Sequence, residues 1–120
     1  MMHNLKELKI LDKSINLMVE VYKATADFPK EEMYGLTSQT RRSAVSIPSN
    51  IAEGAGRNSN NEFQHFLGIS NGSSYELQTQ LIVSNRLGLI KKEILKSLLD
   101  SIDEIQKMNF GLQKTLKEKK

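Results

Sequence analysis

Apolar residues recur at steps of three and four through most of the chain, and nowhere do they alternate with polar ones as a half-buried strand requires. That spacing restricts the chain to helices that each bury one stripe. Leu8, Leu11, Ile15, Met18, Val19 and Tyr22 mark the first stripe. This helix should end near Asp27-Phe28-Pro29, because the residue before a proline resists the α region. Residues 30–35 read as a connector that Gly35 interrupts. Thr37 is a good N-cap for a second helix running to about Ala55, with Ala44, Ile47, Ile51 and Ala55 as its stripe and Val45, Pro48 and Ala52 widening it. Pro48 lies inside this segment, removes one helical hydrogen bond and should bend the axis. Two helices split at Pro48 are the alternative; the stripe keeps its phase across the proline and favours one kinked helix.

Ser59-Asn60-Asn61-Glu62 fits a capping box and opens a third helix that runs to Gly88, its C′ residue. Phe63, Phe66, Leu67, Leu77, Leu81 and Leu87 mark its buried face. Ser70, Ser73 and Ser74 stand where leucines would be expected, beside Gly68 and Gly72, and small residues admit a neighbouring backbone. Ile94, Leu95, Leu98, Leu99, Ile102, Ile105, Met108, Leu112 and Leu116 define a fourth helix without an obvious N-cap. Gly54 and Gly56 supply the second helix's C-cap. Links as short as 57–59 and 88–91 force antiparallel neighbours. The expected fold is all-α: an antiparallel up-down-up-down four-helix bundle kinked at Pro48, with residues 1–120 as one domain and a short basic tail at about 114–120.

Composition narrows the function classes. The chain has no cysteine, which excludes disulfides, thiolate zinc sites and a cysteine nucleophile. No apolar run approaches the ~18 residues of a membrane span. The amino-terminal residues alternate charge with apolar side chains and do not read as a signal peptide, so a cytoplasmic location and no membrane partner are expected. The formal net charge is +3. Lys114, Lys117, Lys119 and Lys120 against Glu118 account for all of it, and the remainder of the chain is neutral. A uniformly basic surface is excluded; a local basic site or a tail that meets phosphate is not.

Motifs of catalysis and metal binding fail on inspection. Gly54-Ala55-Gly56-Arg57-Asn58-Ser59 lacks the third glycine of a dinucleotide fingerprint and follows a helix. Glu62 and His65 form one E-x-x-H unit, where a di-iron bundle needs two such units and two more glutamates, and the other histidine is His3. The serines have no positioned base and no G-x-S-x-G. No catalytic residue, metal or cofactor is expected. Arg42, Ser46, Ser49, Asn50 and Glu53 share one face of the second helix, flanked by Arg41. Short Ser and Asn side chains suit a close polar helix contact, inside the protomer or between protomers. On that reading Asn50 and Glu53 are at least partly buried.

The run from Phe28 to Gly54, most specifically Ser46-Ile47-Pro48-Ser49-Asn50-Ile51-Ala52-Glu53-Gly54, resembles the four-helix-bundle proteins of the 23S rRNA-intervening-sequence family. The resemblance continues through Gly56-Arg57, Glu62-Phe63, Phe66-Leu67, Gly72-Ser73, Glu76-Leu77, Thr79-Gln80-Leu81 and Leu87-Gly88. It departs at Leu11-Asp12, where relatives often carry Trp-Gln. These are small bacterial proteins, and the resemblance implies a ring-like homopentamer without catalysis. A related branch, the accessory proteins of diversity-generating retroelements, forms basic barrels that bind a reverse transcriptase and nucleic acid; the neutral body of this chain departs from that branch. The expected function is a non-enzymatic homo-oligomer that binds RNA or a ribonucleoprotein partner through Arg41, Arg42, Lys114, Lys117, Lys119 and Lys120. The alternative is a protein-only adaptor. Ile10, Leu17, Ile82 and Phe110 lie off the main stripes and are candidates for burial between protomers.

Overall fold

The computed structural model of the chain describes residues 5–118; His3, Lys119 and Lys120 lie outside the described residues. Four long helices account for most of it: α1 (Leu5–Thr25), α2 (Ser38–Ala55), α3 (Asn60–Arg86) and α4 (Lys92–Glu118). No strand occurs among the described residues. Cross-helix contacts set the directions. Arg41 at the start of α2 bonds to the end of α1, Ser70 and Ser73 of α3 meet Ile47 and Ser46 of α2, Asn109 of α4 meets Leu67 of α3, and Lys13 of α1 meets Glu104 of α4. Each helix therefore runs antiparallel to the next, and α4 closes against α1. The body measures 47 × 25 × 18 Å.

The helix ends follow from local chemistry, with one correction. Ser59 is extended and its Oγ accepts the Glu62 backbone N–H at 3.1 Å, so it caps α3 as its sequence indicates. The Glu62 carboxylate meets the Ser59 hydroxyl at 3.3 Å, not its backbone N–H, so the capping box is half made. Gly88 takes φ +79°, donates its N–H to Asn85 O at 2.9 Å, and positions Leu89 to donate to Ser84 O at 2.8 Å. That pair of bonds closes α3 as a Schellman motif. Thr37, by contrast, is not an N-cap. A 3₁₀ turn over Lys30–Glu32 and a turn over Met33–Thr37, interrupted at Gly35 (φ −117°, ψ −106°), precede α2; Thr37 itself is already helical and its side chain makes no capping bond. Helix α2 runs unbroken through Pro48.

Burial confirms the Ala44, Ile47, Ile51 and Ala55 stripe of α2, with Ala52 exposed, and most of those of α3 and α4; of the α1 stripe only Leu11 and Met18 pack against the core. Ala44, Ile47, Ile51, Leu67, Leu77, Leu81 and Ile102 are wholly buried. Each Leu or Ile so buried contributes roughly 1.5–3 kcal/mol. Leu87 and Ile94, expected inside, are exposed because they sit at the α3–α4 turn, which Ile90 plugs instead. In α1 the core face is Glu7, Ile10, Ser14, Leu17, Val21 and Thr25. Leu8, Ile15, Val19 and Tyr22 face outward at 40–50% exposure. The true face carries polar side chains, and two of them satisfy themselves within the helix: Ser14 donates to Leu11 O and Thr25 to Val21 O. Apolar periodicity alone selects the wrong side of such a helix. Ile10 and Leu17 accordingly belong to the protomer core and are unavailable between protomers.

Gly54 departs from its expected role. It lies inside α2, fully enclosed, and a Cβ there would stand 2.7 Å from Phe66 Cβ and 2.9 Å from Phe63 Cδ1. Gly56, the C-cap position, has a negative φ that any residue adopts. Gly54 is thus a packing glycine that lets α2 and α3 touch. Gly68 and Gly72 are the reverse: they face outward, and an added Cβ would meet nothing within 4 Å. Gly54→Ala should therefore cost about 1–3 kcal/mol through overpacking. Gly68→Ala should be neutral or stabilise by up to about 1 kcal/mol through helix propensity. Urea denaturation of the two variants checks the contrast; equal effects would contradict it.

Candidate nucleic-acid interface

The polar face of α2 divides in two. Ser46 receives the Ser73 hydroxyl of α3 at 2.8 Å, and Asn50 donates to the Ser46 carbonyl at 2.8 Å and to its hydroxyl at 2.9 Å. One turn away, Ser70 donates to Ile47 O at 2.9 Å. These bonds form a polar seam between α2 and α3 next to Pro48. Ser49 and Glu53 lie outside it, exposed. Glu53 pairs with Arg57 at 2.7 Å across one helical turn, so its expected burial does not occur. A carboxylate four residues before an arginine on a helix finds that partner more cheaply than one in the interior.

Beside the seam, a groove of about 410 Å³ is lined by Arg42, Ser46, Ser73, Glu76 and Gln80, with Gln39 and Ser43 at its margin. Among the described residues no ion pair holds Arg42 or Glu76. Arg41 points the other way. Its Nε–H donates to Thr25 Oγ1 at 2.8 Å, one terminal N–H donates to Tyr22 O at 3.3 Å, and its guanidinium stacks 4.6 Å over the Tyr22 ring. Arg41 thus fastens the carboxyl end of α1, where cationic donors are favourable. The adjacent arginines serve different helix pairs.

The lysines gather at the opposite end. Because α1 and α4 are antiparallel, the first turns of α1 lie beside the last turns of α4. Lys6, Lys9, Met108, Gly111 and Leu112 line an apolar slot of about 250 Å³ there. Lys114 and Lys117 continue along α4. Among the described residues no ion pair engages Lys6, Lys9, Lys114 or Lys117, whereas Lys13, Lys96 and Lys107 each hold a carboxylate. The candidate cations are therefore split: Arg41 and Arg42 at one end of the body, the α4 lysines at the other. Lys6 and Lys9 were missed as members of the basic end. The signal that finds them is the antiparallel pairing itself, which carries the start of α1 to the end of α4.

Among the described residues no group of three His, Cys, Asp or Glu side chains could hold a metal ion, and Glu62 is engaged by Ser59. His65 stacks edge-on against Phe66 at 5.5 Å. Among the described residues no helix is long and apolar enough to cross a membrane.

Comparison with known proteins agrees with this architecture. The family model for the 23S rRNA-intervening sequence protein matches residues 6–111. A crystal structure of a protein of unknown function from the S23 ribosomal protein family of Bacteroides thetaiotaomicron has the same fold. Its TM-score is 0.84 at 24% identity, covering 92% of this chain and 99% of that one. No curated protein matches the chain.

The seam makes a quantitative statement about side chains that composition would treat as surface. Asn109 is 1% exposed and donates to Leu67 O at 3.0 Å, whereas the Asn50 bonds are confined to its own helix and half-buried. Asn109→Ala should cost about 2–3 kcal/mol, and Asn50→Ala about 1 kcal/mol. Thermal and urea unfolding of the pair checks the order; Asn50→Ala within about 0.5 kcal/mol of wild type would return that side chain to the ordinary surface.

Proposed function

Because the chain belongs to the 23S rRNA-intervening sequence protein family, we propose that it is a non-enzymatic, homo-oligomeric helical bundle of the bacterial cytoplasm that binds RNA. One observation carries the reading. Four lysines without acid partners, Lys6, Lys9, Lys114 and Lys117, lie where α1 begins and α4 ends. Lys119 and Lys120 extend the same basic sequence. Clustered, unpaired ammonium groups gain by releasing the counterions of a phosphate backbone. The family description and that of the solved neighbour both carry the ribosome in their wording, which supports RNA as the partner class. In the groove of α2 and α3, Arg42 is available for a second phosphate contact, since a guanidinium fork matches phosphate. Arg41, with Thr25 and Tyr22 already on its guanidinium, is the weaker candidate.

The oligomer rests on α1. Leu8, Ile15 and Val19 form a stripe of half-exposed apolar side chains along the outer side of the helix, next to Tyr22, which Arg41 caps. Contiguous exposed apolar surface of this kind marks an interface. The family resemblance makes the partner another copy and the number five. A pentamer would have a mass of about 68 kDa, five times the 13.6 kDa of the chain.

Two experiments test these statements. Light scattering at micromolar concentration should show a mass well above 13.6 kDa for the intact protein. An Ile15→Asp/Val19→Asp variant should move toward the monomer; an intact protein that is already monomeric would refute the oligomer. For RNA, Leu116 is core, so neutralising substitutions are preferable to truncation. Replacing Lys114, Lys117, Lys119 and Lys120 by Gln should weaken binding to single-stranded RNA and flatten the log–log salt slope by about 2–3. Intact protein without salt-dependent RNA binding would leave the protein-only adaptor as the function.

A further inference from the structure

Phe110 is 72% exposed in the midst of the basic end of α4. Lone exposed apolar side chains are common on protein surfaces and need no explanation. This one differs in its surroundings. Lys107, Lys114 and Lys117 lie three residues before it and four and seven after it, which places all four side chains on one face of the helix. Lys107 holds Asp103 at 3.1 Å, while Lys114 and Lys117 hold no acid; Glu118 is near in sequence but makes no ion pair. The apolar slot lined by Lys6, Lys9, Met108, Gly111 and Leu112 lies round the helix from Phe110, on the side of α4 that faces α1.

We propose that Phe110 is a stacking platform for an unpaired base of single-stranded RNA, with the strand's phosphates on Lys114 and Lys117. The proposal rests on the RNA reading above and names the chemistry of its ligand. A protein partner would surround the ring with further apolar surface, whereas its helical neighbours are Lys107, Gln106, Gln113 and Lys114. The apolar stripe that suits a second copy lies on α1 instead. A double helix keeps its bases stacked and out of reach, while single strands present the faces that aromatic rings take up. An aromatic ring among unpaired cations is the combination by which single strands are held without sequence preference.

The test uses the full chain, a labelled single-stranded RNA oligonucleotide, and inorganic polyphosphate as a probe that has charge but no bases. Phe110→Ala should weaken RNA binding between about fivefold and a hundredfold, the worth of one stacked base. Its salt slope and its polyphosphate affinity should stay at wild-type values, because no cation is removed. Phe110→Trp should retain affinity, and its emission should be quenched by RNA but not by polyphosphate; the chain has no other tryptophan, so the signal is unambiguous. Equal RNA affinity for wild type and Phe110→Ala, with RNA binding intact, overturns the platform and leaves the RNA reading standing. A fall in oligomer mass on Phe110→Ala would assign the ring to a subunit contact and also overturn it. Absence of RNA binding by the intact protein is the separate failure, that of the underlying reading.

Discussion

The closeness of α2 to α3 is the constraint on which the bundle depends. At Gly54 there is no room for even one more carbon: the position of a Cβ is 2.7 Å from Phe66 Cβ. Along the same contact the side chains are Ser46, Ser70 and Ser73, each small enough to admit the opposite backbone. Closeness has a consequence, since buried hydroxyls must find partners. They find them across the gap, on Ile47 O and on one another, and the Ser46 hydroxyl also accepts from Asn50 within α2. The seam is therefore tight and polar at once. A pair of leucine-lined helices would pack farther apart and could not make these bonds.

With α2 and α3 fixed, the other helices can be less strict. Helices α1 and α4 meet each other through Leu17 and Ile105, one ion pair, and shallow clefts rather than a seam. That looser side brings together the start of α1 and the end of α4, and with them Lys6, Lys9, Lys114 and Lys117. The fold thus separates its tasks. The closest packing is on the α2–α3 side, exposed apolar side chains lie on the outside of α1, and Lys6, Lys9, Lys114 and Lys117 share one end.

Sequence periodicity carried the fold well where apolar residues alone face the core. The stripe of α2 and the serine positions of α3 were legible, as were the Ser59 cap and the Gly88 stop. Legibility failed on α1 and at Asn109, where inward-facing polar residues escaped the pattern. On α1 the core side includes Ser14, Thr25 and Glu7, and the outer side is the more apolar of the two, so the hydrophobic pattern points outward. Asn109 is hidden in the same way on α4: its burial depends on a carbonyl of α3 that only the folded chain supplies. Thr37 has the composition of a cap but is itself helical, because the backbone break before α2 falls two residues earlier, at Gly35. Of the candidate site, the lysines of α4 were evident as a charge run. Arg41 was not separable from Arg42, since adjacent residues on a helix point about 100° apart and meet different neighbours.

The proposed RNA site lies at the end of the body where α1 begins and α4 finishes. Ultraviolet crosslinking of the intact protein to single-stranded RNA, read out by peptide mass, tests it directly. The account predicts crosslinks within residues 104–118 and the first turns of α1, with Phe110 prominent, and few or none at the start of α2. Crosslinks concentrated around Arg41 and Arg42, or spread evenly over the surface, would contradict it.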